Sequence, residues 1–409
     1  MNKYNEPIAI IGAGGLGVCA ALELAQRGFK IDLYEAHSET IRKATYVNEG
    51  KIHLGFIYAM DKDMRTAKKM IDGAVHFMSY LKRWIDVNPE HVISTPFYYC
   101  SHKASLLKHE QLEMHYKKCI EYYDEAKSYF KKSYLDLFDT LELSKLNKSA
   151  AEQIANPEYI DAVFSTSEHS VEPRVIAKLL NEALAENDSI NLFINTKVES
   201  VSRVGTKVKV SALQNGGVVQ NKYSQVINCS WNGLLSIDET MGIIPEEPWS
   251  MRYKFGNKIL IPIHSESLPS CTLVQGPFGD TVNFKNRGAF VSWYPIGRTG
   301  WSEGSSPPDW DNMYSIEKRY DIFWRSFEEL VKRVPRLKNL SFTEKDISPV
   351  GGVIYALGNT DVDNKHSKLH TRFDVGIRSF QNYHSVNTGK YTLIPLLAVQ
   401  LADRIEGLS

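Results

Sequence analysis

The feature that most constrains this chain is Ile8-Ala9-Ile10-Ile11-Gly12-Ala13-Gly14-Gly15-Leu16-Gly17, an apolar run that breaks into a glycine turn. With no polar residue from Ile8 to Ile11, the run predicts a short strand buried on both faces. From Val18 to Arg27 the good helix formers Ala20, Ala21, Leu22, Leu24 and Ala25 predict a helix, stopped by Gly28. The glycines of a G-x-G-x-x-G turn act differently from one another. Gly12 makes the tight turn, Gly14 lets a pyrophosphate approach the backbone, and Gly17 lets the helix pack closely on the strand. Gly15 sits at the helix start, where free N–H groups and the positive dipole end favour phosphate.

A second strand pattern, Lys30-Ile31-Asp32-Leu33-Tyr34, ends at Glu35. An acidic residue about 20 positions past the glycines is placed to bind the two hydroxyls of an adenosine ribose, and it repels a 2′-phosphate. The pair of strands therefore points to FAD or NAD and away from NADP. The competing reading is a glycine-rich turn in some other α/β unit.

With 409 residues the chain has room for two or more domains. Lys plus Arg equals Asp plus Glu at 48 each, so no global field recruits nucleic acid or an anionic membrane. Five cysteines (Cys19, Cys100, Cys119, Cys229, Cys271) show no C-x-x-C spacing, which signals neither a metal site nor a disulfide framework. Ile8 to Ala25 is the one stretch that could pass for a membrane or signal segment. Its glycine turn, and Glu23 on what reads as the helix surface, fit a nucleotide fold better. The expectation is a cytoplasmic protein with no integral membrane segment, no nucleic-acid partner and no bound metal. Gly300 to Asp311 is the stretch closest to a flexible loop.

Beyond Glu35 comes Asn48-Glu49-Gly50-Lys51-Ile52-His53-Leu54-Gly55-Phe56-Ile57-Tyr58. Together with the glycine turn, this phrase resembles the flavin-facing segment of the D-amino acid oxidase superfamily, and most closely its glycerol-3-phosphate dehydrogenase and 2-hydroxyglutarate oxidase branch. The resemblance implies FAD as cofactor, with Asn48, Gly50, Ile52 and His53 beside the flavin ring. Three roles stay open for His53: a base or hydrogen-bond partner near the substrate, a covalent tether to the flavin, or a packing residue. An imidazole that titrates near neutrality suits the first.

Helical periodicity over Asp61 to Trp84, strand composition over Val92 to Cys100 and a second helical stretch from about Ala104 to Tyr134 come next. Ala162 to Arg174 resembles the superfamily's return to the nucleotide domain, with Pro173 fitting a helix start. The stretch Asn191 to Val198 resembles the strand that sets a backbone group, here at Val198, against the adenine. The strand Gln225-Val226-Ile227-Asn228-Cys229-Ser230-Trp231 resembles the family's Val-Val-Asn-Ala-Ala-Gly strand, but Ser230 and Trp231 replace small residues. Trp231 either closes over the cofactor or fills a core gap.

Further on, Pro248 to Gly256 leads into an apolar strand over Lys258 to Ile263, and Phe290 to Arg298 reads as another strand. Arginine suits forked recognition of carboxylate or phosphate, so Arg252 and Arg298 are candidate substrate anchors beside the reading that they are surface residues. Thr388-Gly389-Lys390-Tyr391-Thr392, after a strand at Phe373 to Ile377, resembles the last flavin-binding turn of the same branch, ahead of a final helix over Leu393 to Ile405. A helix start and Lys390 there stabilise negative charge on the flavin's pyrimidine edge. Relatives usually carry an arginine in a Gly-x-Arg-Pro phrase where this chain has Ser348 to Tyr355. The anchor for an anionic substrate is then absent or moved to Arg372, Arg378, Tyr355 or His384.

The expected fold is α/β: a Rossmann-like FAD-binding domain (residues 1–89, 151–239 and 346–409) interleaved with a mixed-sheet α+β substrate domain (residues 90–150 and 240–345). The resemblance implies hydride transfer from a hydroxyl- or amine-bearing carbon of a small polar substrate to FAD, with oxygen, a quinone or a carrier protein as electron acceptor. Oxidation of a sugar or amino sugar, a non-catalytic flavin sensor and an NAD-dependent dehydrogenase stand as alternatives.

Overall fold

The computed structural model describes residues 6–364 and 366–408. Ile8–Ile11 and Ile31–Tyr34 are strands buried at every position. They pair in parallel, because the helix Gly15–Gln26 carries the chain back between them. Around them forms a six-stranded sheet in the order Gly376–Phe380, Tyr383–Asn387, Val226–Asn228, Ile8–Ile11, Ile31–Tyr34, Ile190–Phe193, parallel except for the hairpin at its first edge. One face is covered by Gly15–Gln26 packed with the helix Ile394–Leu408, which packs in turn on Arg65–Leu81. Glu23, expected on the helix surface, is buried here: Arg27 (2.7 Å), Arg83 (2.6 Å) and the Trp84 indole N–H (2.9 Å) satisfy its carboxylate.

A larger, nine-stranded mixed sheet runs Arg298–Ser302, Trp249–Ile259, Ala289–Trp293, Gly279–Asn283, Ser270–Val274, Phe97–His102, Ile160–Thr166, Leu143–Lys145, with Ile347–Leu357 paired along the whole of Trp249–Ile259. Two of these strands lie outside the segments expected in the substrate domain. Ile160–Thr166 and Ile347–Leu357 fall in segments expected on the nucleotide side, yet their backbones pair with Phe97–His102 and Trp249–Ile259. Alternation and apolar content identify a strand but carry no information on which sheet takes it.

Smaller differences share that origin. The stretch read as one strand from Asn191 to Val198 splits. Ile190–Phe193 ends the parallel sheet, whereas Thr196–Val204 opens a three-stranded ribbon with Lys207–Gln214 and Gly217–Tyr223. The strand expected at Phe373 to Ile377 begins at Gly376, and that expected at Lys258 to Ile263 ends at Ile259. Among the described residues no helix is long and apolar enough to cross a membrane.

Candidate active site

The turns that follow four parallel strands, after Ile11, Tyr34, Asn228 and Asn387, all open on one cavity of about 870 Å³. Such crevices at the carboxyl ends of strands are where open α/β sheets bind nucleotides. At the first end, Gly12 (φ 93°) has no room for a side chain: a Cβ there would stand 2.7 Å from Ser230 Cα. At Gly17 a Cβ would meet the Gly12 carbonyl at 1.9 Å, so the glycine serves helix–strand contact. A Cβ on Gly14, by contrast, would meet nothing within 4 Å and would project into the cavity, which is the space a pyrophosphate needs. The helix behind has no side-chain cap and no acidic residue in its first turn, leaving its dipole end for an anion. Glu35 is oriented by the Ala13 N–H (3.0 Å) and His37 N–H (2.9 Å). Thr45, which sequence reasoning missed, accepts from the Gly15 N–H at 3.1 Å.

Val198, Ser230 and Trp231 line the middle. Trp231 both lines the cavity and packs against the core cluster of Leu234, Met251, Tyr253 and Tyr355. Its backbone is left-handed (φ 46°), costly for a bulky residue, and its indole N–H donates to the Val353 carbonyl at 3.0 Å.

At the far end Asn48, His53, Thr388, Gly389, Lys390 and Tyr391 line the cavity with Lys51, Lys254 and Arg372. The Asn48 side chain braces its own segment, accepting from the Gly50 N–H at 2.6 Å and donating to the Ala44 and Thr45 carbonyls. Gly50, Ile52 and Thr392 stand behind the wall, since Gly50 packs on the Val171 carbonyl and Ile52 is core. The Thr392 hydroxyl accepts from the His53 N–H (3.0 Å) and donates to the Lys51 carbonyl (3.1 Å). That clasp joins the two flavin-facing phrases, 339 residues apart.

Positive charge gathers here. Lys51 is buried and paired with Asp280 at 2.9 Å; burial opposes its charge, but Asp280, Glu168 and Glu49 outweigh that and raise its pKa. Lys390 is pushed down to about 8 by burial, with Arg372, Lys254 and Lys51 adding to the fall and Glu49 opposing it. His53 lies well below the ordinary imidazole value through burial and the charges of Lys390, Lys51 and His370, so it is neutral at pH 7.

Arg252, Arg298 and Tyr355, expected at the catalytic end, stand elsewhere in the structure. None lines the cavity. Arg252 is fully buried, donates to the Thr360 carbonyl at 2.9 Å and lies over the Trp301 ring, and Arg298 holds the Asp361 carboxylate at 3.0 Å. Tyr355 stacks on Trp249. A forked donor suits a protein carboxylate as well as a ligand's, and residue type alone cannot separate the two.

Of the four sites considered for a displaced anchor, Arg372 alone reaches the wall. His384 is engaged by Ser379 and Gln225, and Arg378 is exposed at a sheet edge. Arg372 is buried, has no carboxylate within 4 Å among the described residues, and leaves Nε without a partner while Nη1 donates to the Thr371 carbonyl. Burial lowers it to about 10.

The profile of the DAO family, described as FAD dependent oxidoreductase, matches residues 7–272. The chain belongs to this family of FAD-dependent oxidoreductases. FAD is accordingly its cofactor, and the open space at Gly14, the uncapped helix start and Glu35 fit it. This DAO-family chain is 26% identical over 197 residues to the glycerol 3-phosphate oxidase of Mycoplasma pneumoniae, covering 48% of this chain and 46% of that protein. It is 28% identical over 89 residues to an FAD-dependent monooxygenase of Fusarium mangiferae, 22% of this chain and 24% of that one. The matches thus span less than half the length of either relative. Its fold is similar to that of dithionite-reduced L-alpha-glycerophosphate oxidase from Mycoplasma pneumoniae with FAD bound (TM-score 0.67, 16% identity, 98% of this chain and 94% of that one). It is also similar to glycine oxidase from Geobacillus kaustophilus (TM-score 0.65, 14% identity, 98% and 95%).

Proposed function

We infer that this protein oxidises a hydroxyl- or amine-bearing carbon of a small polar substrate by transferring its hydride to FAD. One observation carries the reading: a single cavity runs from the glycine turn and Glu35 to an end where His53 stands among Lys254, Arg372 and Lys390. When bound, FAD supplies the two-electron acceptor and is later reoxidised by oxygen, a quinone or a carrier protein.

The chain's residues do the rest. Gly12, Gly14, Gly15 and Glu35 hold the dinucleotide's phosphates and ribose. The turn at Thr388, Gly389 and Tyr391 would hold the flavin's pyrimidine edge, where Lys390 would favour negative charge. His53, neutral in the resting protein, takes the proton from the substrate's hydroxyl or amine. Arg372, buried and without a counter-charge, anchors an anionic or strongly accepting group of the substrate. The sheet memberships support a substrate domain that also includes Ile160–Thr166 and Ile347–Leu357.

The test is anaerobic mixing of the yellow, FAD-loaded protein with hydroxy acids, polyol phosphates, amino acids, amines and sugars. Bleaching of the flavin absorbance by at least one class is expected. A flavin reducible by dithionite but by none of these would favour the non-catalytic sensor.

A further inference from the structure

Behind His53 lies a buried carboxylate that the sequence did not single out. Glu168 is fully enclosed, and its Oε1 lies 4.0 Å from His53 Nδ1. That nitrogen is itself enclosed and has no hydrogen-bond partner. His53 Nε2 is not enclosed and makes no hydrogen bond among the described residues, so it is the ring nitrogen facing the cavity that His53 lines. The carboxylate is held from two sides: Tyr99 donates its hydroxyl to Oε1 at 2.5 Å, and the Leu54 N–H donates to Oε2 at 2.6 Å. Leu54 directly follows His53, so Glu168 grips the segment that carries the imidazole.

We propose that Glu168 is a positioning residue for His53, receiving its Nδ1–H and so leaving Nε2 as the unprotonated nitrogen that faces the substrate. This rests on the reading of His53 as the proton acceptor. A neutral imidazole carries one N–H. On Nε2 it would turn the Nδ1 lone pair toward a buried carboxylate, whereas on Nδ1 it turns a donor there, and burial strengthens the preference. Tightening the 4.0 Å approach into a hydrogen bond is the change expected when a ligand fills such a site. In the transfer, the substrate's O–H or N–H bond breaks and its electron pair stays on the heteroatom. The proton forms the Nε2–H bond, and the two electrons leaving the carbon go with the hydride described above. Glu168 then faces the new imidazolium as its counter-charge, countering the repulsion of Lys51 and Lys390. Burial raises the Glu168 carboxyl to about 7 despite Lys51, Tyr99 and the Leu54 N–H, with Asp280 adding to the rise, so the anion is in place above that pH.

The experiment uses the full-length FAD-loaded protein with 15N-labelled histidine at pH 8, the His53 ring signals being assigned by their loss in His53→Gln. Wild type should show a protonated Nδ1 and an unprotonated Nε2. Glu168→Gln, checked for folding by its melting curve and flavin spectrum, replaces an acceptor by an amide that can donate to Nδ1. The proton should then move to Nε2. An Nε2–H form in the wild type overturns the proposal whether or not the variant folds, as does an unchanged tautomer in a folded Glu168→Gln. Because the readout needs no substrate, it stands or falls separately from flavin bleaching.

Discussion

The two ends of the cavity are built from different materials. At the nucleotide end the groups that matter are backbone N–H groups, missing side chains and one carboxylate, nearly all within residues 12–35. At the other end they are long charged side chains, Lys51, Lys254, Arg372 and Lys390, brought from four distant segments. The first end binds what all dinucleotides share, so geometry of the main chain suffices. The second must distinguish one small molecule from another, and only side chains carry that information. A buried arginine without a carboxylate among the described residues is costly to keep, and on the proposed function that cost is offset by substrate recognition.

The sharpest way to break that contrast lies in the glycines. Gly17→Ala forces a Cβ to within 1.9 Å of the Gly12 carbonyl, so helix and strand must separate. Loss of FAD and a fall of about 3 kcal/mol in unfolding free energy, typical of overpacking, are expected in denaturant titrations. Gly14→Val should abolish FAD retention yet leave the melting temperature of the apoprotein nearly unchanged, because its side chain enters open space. If both variants behave alike, the cradle is not where Gly14 puts it.

At the other end, Arg372→Met should leave FAD content intact and lower kcat/KM for the reducing substrate about 100-fold, corresponding to about 2.7 kcal/mol. The apoprotein should not lose stability, since an unpaired buried charge is removed. Equal catalysis in Arg372→Met would move the anchor elsewhere.

Lys390→Met should lower the flavin's two-electron potential by roughly 30 mV, about 1.4 kcal/mol, in spectroelectrochemical titration. Lys390 titrates at about 8 in the folded apoprotein, below the ordinary lysine value of 10.5. Between these values the unfolded chain holds the extra proton, so wild-type stability should rise with pH across that window. Melting curves of Lys390→Met should show a smaller rise, the remainder coming from Lys258, which burial also lowers to about 8.

The smallest effect belongs to the half-exposed pair of Lys43 with Asp311, which ties the short helix Trp310–Met313 to the segment of Lys43 in the cavity lining. Lys43→Ala should change stability by less than about 1 kcal/mol. FAD release, followed by fluorescence, should speed up by no more than about fivefold, the rate equivalent of that energy. Of the stretch from Gly300 to Asp311, Ser306 to Asp311 line the cavity, and Asp311 also accepts from the Tyr253 hydroxyl at 2.5 Å.

How much of this was legible follows the same division. Gly12, Gly14, Glu35 and the strand they follow could be read directly, because a turn is decided by φ and by neighbours a few residues away. His53 and Lys390 could be found through phrases that resemble a family, though not their mutual clasp through Thr392. The surroundings of Arg252 and Arg298 could not be read: both face Asp361, a partner more than 60 residues further along the chain. Glu168 gave no signal, since a single glutamate beside His169 looks like any polar loop.

The sequence by itself determined the nucleotide-binding unit, the order of its elements and the family, because period, glycine placement and local spacing are properties of neighbouring residues. Only the tertiary structure decided that Ile160–Thr166 and Ile347–Leu357 join the large sheet, that Arg372 rather than Arg252 reaches the cavity, and that Glu168 stands behind His53. Those outcomes depend on which distant segments share a buried space, where the partner a charge meets is set by packing of the whole chain.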